Sequence, residues 1–209
     1  MSVSALPVVV IGTGPVGLAA AAHVLARNLT PVVFEAGPSA GAGIRRWGHV
    51  RMFSPWKFNV DAAAGTILAR LGWVMPEGDA YPTGRELVEH YLEPLAGTSE
   101  LAPCMTFNSR VTAVARQDHD LMKQAGREAA PFLVRVVRPD GEHDVLAQAV
   151  IDASGTIETP GVLGASGLAA IGELAASGRI FYASRTCSAP IAPATRAVGY
   201  WWWASVTRR

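Results

Sequence analysis

The chain is poor in cysteine, and its two cysteines, Cys104 and Cys187, lie far apart in a sequence of 209 residues. No Cys-X-X-Cys pair occurs, which excludes a thioredoxin-type redox pair and a zinc ribbon. The five histidines show no metal-ligand spacing, so a metal site is not expected. We expect Cys104 to be a buried structural thiol, and this sparing use of cysteine fits a cytoplasmic location.

An excess of one charge is also missing, because 18 Lys and Arg residues stand against 17 Asp and Glu residues. Without a basic stripe, nucleic acid is not an expected partner. The chain lacks an uninterrupted apolar segment of about 18 residues, which argues against a membrane span. Half of its residues are hydrophobic, which is enough for a sizeable core in one large domain.

The first 35 residues contain a dinucleotide-binding pattern in its full context. Residues 7–11 are predicted to form a buried strand, and the pattern Gly-X-Gly-X-X-Gly follows at once. An Ala-rich helix over residues 15–27 and a second strand over residues 30–34 complete a βαβ unit spanning residues 5–35. Because strand, turn, helix and strand all agree, a Gly-rich turn of some other α/β protein is the weaker interpretation.

Each glycine of this turn has its own physical reason. Gly12 permits the tight turn, Gly14 lets the backbone approach a pyrophosphate, and Gly17 lets the helix pack closely on the strand. The helix N-terminus offers N–H groups and the positive end of its dipole to phosphates. Glu35 stands about 20 residues further on, at the usual place of an acid that hydrogen-bonds ribose hydroxyls. Its charge would repel a 2′-phosphate, so FAD or NAD is preferred over NADP.

A long connection and a helical segment follow this unit. Residues 36–60 are rich in Gly, Arg and Trp, and a loop of that length is usually functional or disordered. Residues 61–95 are predicted to be helical, with Thr83 and Glu86 forming a capping box for the second helix. The first helix should bury Ile67, Leu68 and Leu71. The second should bury a stripe formed by Leu87, Val88, Tyr91, Leu92 and Leu95.

Residues 105–156 are predicted to be rich in β-structure. Strands are expected over residues 110–117 and 132–138, the first with Val111, Ala113 and Ala115 on its inner face. The sequence Pro139-Asp140-Gly141 favours a turn, and residues 143–147 return as the partner strand. Residues 147–152 form a further apolar run, which ends at Ala153-Ser154-Gly155-Thr156.

The glycine turn with Glu35 and the later stretch over residues 150–156 together resemble the pyridine-nucleotide-dependent flavoprotein oxidoreductases. The resemblance is nearer to their flavin-monooxygenase-like branch than to the disulfide reductases. Residues 150–156 are similar to the family's strand followed by Ala-Thr-Gly, with Ser154 in place of the usual Thr. The resemblance covers roughly residues 5–182. It implies an α/β, Rossmann-like, FAD/NAD(P)-binding three-layer fold with a small β-hairpin insert, in which residues 1–182 form a partial FAD-binding domain.

The resemblance also implies FAD as the cofactor and NAD(P)H as the co-substrate of the full-length protein. It places FAD against Gly12, Gly14, Pro15, Gly17, Glu35, Ala36, Val111, Ser154 and Gly155. Arg46 and Trp47 are candidates for the wall beside the flavin, and an arginine also matches a phosphate. A solvated arginine and a core tryptophan are equal alternatives for these two residues. No catalytic side chain is identified, since the flavin carries the hydride and oxygen chemistry itself.

The expected function is that of an FAD-binding, monooxygenase-like oxidoreductase that uses NAD(P)H in its full-length form. This chain lacks an in-frame nicotinamide domain, so weak or no FAD binding and no turnover are expected of it alone. Two alternatives remain open. One is a dinucleotide-binding module without catalysis, and the other is a membrane-surface interaction protein that uses residues 201–203. No pattern identifies the substrate, the electron acceptor or the oligomeric state.

Residues 183–209 depart from the family pattern and are predicted to form an aberrant, disordered tail. Trp has the single codon TGG, so residues 200–204 read one nucleotide earlier give Leu-Val-Val-Gly, whichever codons Tyr and Ala use. That is how a second dinucleotide fingerprint begins, at the point where the family expects its NAD(P)H-binding strand. The sequence therefore favours a truncated flavoprotein, translated out of frame from about residue 183.

Sequencing the gene across the codon for Tyr182 tests this interpretation. We expect a single-nucleotide shift relative to the genes of close relatives, and correcting it should open a frame that encodes Leu-Val-Val-Gly. One intact frame across Tyr182, without a shift relative to those genes, would contradict the interpretation.

Overall fold

A computed structural model of the chain describes residues 6–156, 161–180 and 182. The chain divides into two units, Met1–Glu158 and Thr159–Arg209. The first unit contains a parallel sheet, helices and an antiparallel sheet, which confirms the predicted α/β fold with a hairpin insert. The predicted tail over residues 183–209 lies outside the described residues, so its boundary at residue 182 stays a prediction.

Four parallel strands form the main sheet in the order β3-β2-β1-β7. They are β1 (Val8–Ile11), β2 (Pro31–Phe34), β3 (Met105–Thr106) and β7 (Ala149–Asp152). Alternate residues serve opposite faces, as in any strand: Val10 and Val33 pack with the helices, while Val9 and Phe34 pack with the second sheet. Ile11 pairs with the last residue of both β2 and β7. The three strands therefore end at the same level.

Helix α1 (Pro15–Leu25) packs on β1 at a distance that only glycine permits. A Cβ atom on Gly17 would lie 2.0 Å from the carbonyl oxygen of Gly12. Gly12 has φ +97°, and a Cβ atom there would lie 2.7 Å from the carbonyl oxygen of Ala153. The roles predicted for Gly12 and Gly17 are therefore confirmed, and both are requirements of the fold itself.

The predicted long connection is partly helical, with α2 (Ala42–Arg45) and α3 (Trp56–Asn59) inside it. Trp56 is buried in the helical layer. The next helix, α4 (Ala62–Arg70), begins at Asp61, whose side chain accepts hydrogen bonds from two N–H groups of the first turn. This cap explains why the helix begins there.

Two of the three core positions predicted for α4 are correct and one is wrong. Ile67 and Leu68 are buried, but Leu71 is 59% exposed. Gly72 follows with φ +78°, and the N–H of Trp73 donates back to the carbonyl of Leu68. The chain therefore reverses at this point and turns Leu71 outward, as is usual where a left-handed glycine ends a helix.

The predicted capping box is present. The N–H of Glu86 donates to Thr83 Oγ1 at 3.2 Å, and the N–H of Thr83 donates to Glu86 Oε2 at 2.6 Å. Helix α5 (Gly84–Leu87) starts at this box and continues through a π-helical turn (Val88–Leu92) into α6 (Glu93–Ala96). The predicted apolar stripe of this helix is buried throughout, which is confirmed for Leu87, Val88, Tyr91, Leu92 and Leu95.

The π-helical turn was not predicted, and a proline explains it. Pro94 has no N–H with which to bond the carbonyl of His90, four residues before it. The indole Nε1 of Trp73 donates to that carbonyl instead, at 2.8 Å. The N–H of Glu93 meanwhile reaches back five residues to Val88. The indole N–H of Trp73 thus satisfies the His90 carbonyl, which has no helical partner because Pro94 lacks an N–H.

The second sheet has the antiparallel order β4-β5-β6, with β4 (Arg110–Arg116), β5 (Phe132–Arg138) and β6 (Gly141–Ala147). Arg138 pairs with Gly141, which has φ +130°, so the predicted turn is confirmed. The inner face predicted for β4 is wrong at Ala113 and Ala115, which are exposed. A bulge between Val111 and Ala113 interrupts the register at this edge strand.

The described part of the second unit is organised around one carboxylate. Glu173 is buried, and its oxygens accept hydrogen bonds from the N–H groups of Leu163 and Ala170 and from the hydroxyl of Tyr182. The Tyr182 hydroxyl, together with the N–H groups, lowers the pKa of Glu173. The same contact raises the pKa of Tyr182. The donors thus favour the ionised form of the carboxyl group.

The substitution Gly17→Ala should destabilise the fold by about 3 kcal/mol, because its methyl group has no room beside the Gly12 carbonyl. Gly65→Ala is the matched control, since its Cβ atom would meet only Val60 Cγ1 at an ordinary 3.5 Å. That helical change should stabilise the protein by about 0.5–1 kcal/mol. Urea unfolding measures both, and equal stability of the two variants would contradict the close packing.

Candidate functional site

The carboxyl ends of β1, β2 and β7 meet at one edge of the parallel sheet. The N–H of Gly12 donates to Phe34 O at 2.7 Å, and the N–H of Ala153 donates to Ile11 O at 3.0 Å. Glu35 follows β2 at the same edge, where its N–H donates to Thr106 O at 3.0 Å. Ligands of open parallel sheets bind at such an edge, so the predicted site residues lie where a ligand would be expected.

The carboxylate of Glu35 is held by three donors from the protein itself. Its Oε2 accepts hydrogen bonds from the N–H and the hydroxyl of Thr13, at 2.8 and 2.7 Å. Its Oε1 accepts one from the N–H of Gly37, at 2.7 Å. Thr13 is fully buried and was not among the predicted site residues. A hydroxyl side chain at the second position of the turn is the signal that could have identified it.

Gly14 differs from the other two glycines of the turn. It is the N-cap of α1, with φ −72°. A Cβ atom added to Gly14 would have no neighbouring atom within 4 Å. Neither backbone conformation nor crowding therefore requires glycine there. No side chain caps the helix at this end, and its first turn carries no acidic residue. Gly14 thus borders open space at the positive end of a helix dipole.

The end of β7 forms the other side of this edge. Asp152 Oδ1 accepts a hydrogen bond from the N–H of Ser154 at 3.0 Å, and the hydroxyl and N–H of Ser154 lower the pKa of Asp152. Gly155 follows with φ +70° and no neighbour within 4 Å of its missing Cβ atom. Asp152 was not predicted as a site residue, although it directly precedes the Ala-Ser-Gly sequence.

A groove of about 210 Å³ runs between β4 and the end of β7. It is lined by Ile11, Val111, Thr112, Ala113, Val114, Asp152 and Ser154. Two residues predicted from separate parts of the sequence, Val111 and Ser154, are therefore brought together beside the glycine turn. The groove is open to solvent.

The long connection is hydrogen-bonded to the turn. The N–H of Gly41 donates to the carbonyl of Thr13 at 3.1 Å. Trp47 packs on α5, because a Cβ atom on Gly84 would lie 2.7 Å from its ring. Arg46 and Ala36 are exposed. The contact of Trp47 with Gly84 gives it a packing role, and a role of Arg46 and Trp47 beside a flavin stays a prediction.

Residues 6–156 and 161–180 contain no group of three or more side chains that could hold a metal ion. Cys104 is half-buried rather than buried as expected, and this partial burial raises the pKa of its thiol. The helices of these same residues are all too short or too polar to cross a bilayer.

No family model and no curated protein sequence matches the chain, but solved structures do. A steroid monooxygenase bound to NADP is 25% identical and covers 72% of this chain and 26% of its own, with a TM-score of 0.53. The FAD-bound form of OTEMO is 22% identical and covers 79% of this chain and 28% of its own, with a TM-score of 0.54.

A disulfide reductase also matches. The bacillithiol disulfide reductase of Bacillus cereus is 20% identical and covers 76% of this chain and 42% of its own, with a TM-score of 0.56. The chain thus spans about a quarter to two fifths of the length of these proteins. The matching part of each protein has the same fold as this chain, which confirms the FAD/NAD(P)-binding fold that the glycine turn and residues 150–156 predict.

The substitution Glu35→Gln should lower the free energy of unfolding by about 1–2 kcal/mol without any ligand. An amide offers one acceptor and one donor, so either the Thr13 donors or the Gly37 N–H would face another N–H group. The exposed carboxylate of Glu128 supplies the control, and Glu128→Gln should change stability by less than about 0.5 kcal/mol. Urea unfolding that gives equal values for both variants would contradict the network.

Proposed function

We propose that the first unit binds the adenosine diphosphate part of FAD at the carboxyl edge of β1, β2 and β7. The open position of Gly14 carries this proposal. Gly12 and Gly17 are explained by packing within the protein, whereas Gly14 borders empty space at an uncapped helix N-terminus. Backbone N–H groups and the helix dipole favour a phosphate at such a place, and a side chain at Gly14 would occupy it.

The remaining residues of the edge fit the other parts of the ligand. The carboxylate of Glu35 suits ribose hydroxyls and disfavours a 2′-phosphate. The groove lined by Val111 and Ser154 suits the adenine ring and the neighbouring parts of the cofactor. When bound, the flavin supplies hydride and oxygen chemistry, and the protein supplies binding, orientation and exclusion of water.

The activity of a full-length protein with this domain is a further part of the proposal. The matching structures include a steroid monooxygenase with NADP, OTEMO with FAD and a disulfide reductase. We favour an oxidoreductase of the monooxygenase type that uses NAD(P)H in the cytoplasm, because the steroid monooxygenase has a higher sequence identity to this chain, 25%, than the disulfide reductase, 20%. Pro15, Ala36 and Gly155 belong to the same proposed FAD site.

A binding module without turnover is the second candidate for this chain alone. One observation favours it: residues 6–156 and 161–180 contain a single Gly-X-Gly-X-X-Gly turn, and hence one nucleotide site of this type. Consumption of NADPH by the purified chain supplied with FAD tests this candidate. Steady consumption would contradict a module without turnover, whereas binding without consumption is expected both of the module and of an oxidoreductase that lacks its nicotinamide domain.

The substitution Gly14→Val should weaken binding of ADP at least about tenfold, since the side chain would fill the phosphate position. Its thermal midpoint should fall by no more than about 4 °C, because valine is a poorer N-cap than glycine but a Cβ atom at this position meets no protein atom. ADP is the sharper probe, since the described residues hold the adenosine diphosphate part of FAD. Isothermal titration calorimetry measures its affinity for both proteins.

Gly161→Val is the matched control, because Gly161 also has no neighbour within 4 Å and no left-handed φ, but lies outside the turn. It should bind ADP like the wild type. Equal ADP affinity of the Gly14 variant and the wild type would contradict the proposed site, as would a wild-type protein that binds neither ADP nor FAD.

A further inference from the structure

The side chain of Thr13 faces the acid of the candidate site rather than the interior of the helix. Its hydroxyl and its N–H both donate to Oε2 of Glu35, at 2.7 and 2.8 Å. Its carbonyl accepts a hydrogen bond from Gly41. Thr13 therefore uses all three of its polar groups within the protein and joins β1, the end of β2 and the long connection.

This arrangement limits how many hydrogen bonds the carboxylate can still accept. A carboxylate oxygen accepts about two hydrogen bonds, and Thr13 supplies two to Oε2. Oε1 accepts one from Gly37, so one further position is open on that oxygen. Without the Thr13 hydroxyl, Oε2 would have an open position as well, and the Glu35 side chain would lose one of its two hydrogen bonds to Thr13 of the glycine turn.

We propose that Thr13 is a positioning residue, which fills Oε2 of Glu35 and leaves a single acceptor on Oε1 for one ribose hydroxyl. By the same contact it keeps the negative charge of Glu35 fixed at the ribose and so sets the selectivity against a 2′-phosphate. This inference rests on the proposed function, since it concerns the ribose of the same adenine nucleotide.

Thr13→Val isolates the hydroxyl group from the other roles of Thr13. Valine has the same shape and retains the N–H bond to Glu35 and the carbonyl bond from Gly41, so only the hydroxyl contact is lost. Thr13→Ser retains the hydroxyl and is the rescuing variant. Should the valine variant fail to fold, Thr13→Ala compared with Thr13→Ser makes the same comparison, since both remove the γ-methyl group.

The experiment measures the affinity of each variant for ADP and for ADP that carries a 2′-phosphate. Wild type should prefer ADP at least tenfold. Thr13→Val should bind ADP about tenfold more weakly, because one hydrogen bond that holds the charged carboxylate of Glu35 is lost, and its preference for ADP should fall several-fold. Thr13→Ser should stay within about twofold of wild type in both affinity and preference.

Two results would overturn the inference. One is an equal weakening for both ligands, which a general loss of structure would produce. The other is a serine variant that binds as weakly as the valine variant. A wild-type protein that binds neither ligand would instead contradict the proposed function, so the failure of one proposal can be told from the failure of the other.

Discussion

The common level at which β2, β1 and β7 end is the constraint on which the site depends. Ile11 pairs with both Phe34 and Asp152, so the residues that follow each strand emerge at one edge. A shift of one residue in either pairing would exchange the two faces of a strand and move Glu35 away from the turn. The buried faces of Val9 and Val10 make such a shift costly. The core thus sets the geometry of a surface site.

The three glycines of the turn separate what the fold requires from what a ligand would require. Gly12 and Gly17 stand where a Cβ atom would collide with backbone, so their identity follows from helix-on-strand packing. Gly14 stands where a Cβ atom would meet nothing. Glycine has an entropic cost in the unfolded chain, and no contact in the described structure offsets that cost at Gly14. The phosphate proposed to bind at this place would give the residue a physical reason.

Local chemistry could be predicted from the sequence, and contacts between distant residues could not. The Thr83–Glu86 capping box depends on a spacing of three residues and is present as predicted. Leu71 has the right spacing for the core, but its place depends on the left-handed conformation of Gly72. Thr13 shows the same limit within the site, because its partner Glu35 lies 22 residues away and only the sheet brings the two together.

The site is therefore largely organised before any ligand binds. Three donors hold the Glu35 carboxylate, and the bond from Gly41 to Thr13 attaches the long connection to the same turn. Because folding already orders these groups, ligand binding does not carry the entropic cost of ordering them. The backbone at Gly14 and Gly155, by contrast, is open, because no protein atom lies within 4 Å of the Cβ position of either residue. A phosphate binds to main-chain N–H groups at such open positions. The edge thus combines fixed side chains at Thr13 and Glu35 with open backbone at Gly14, and the proposed binding of a phosphate requires this combination.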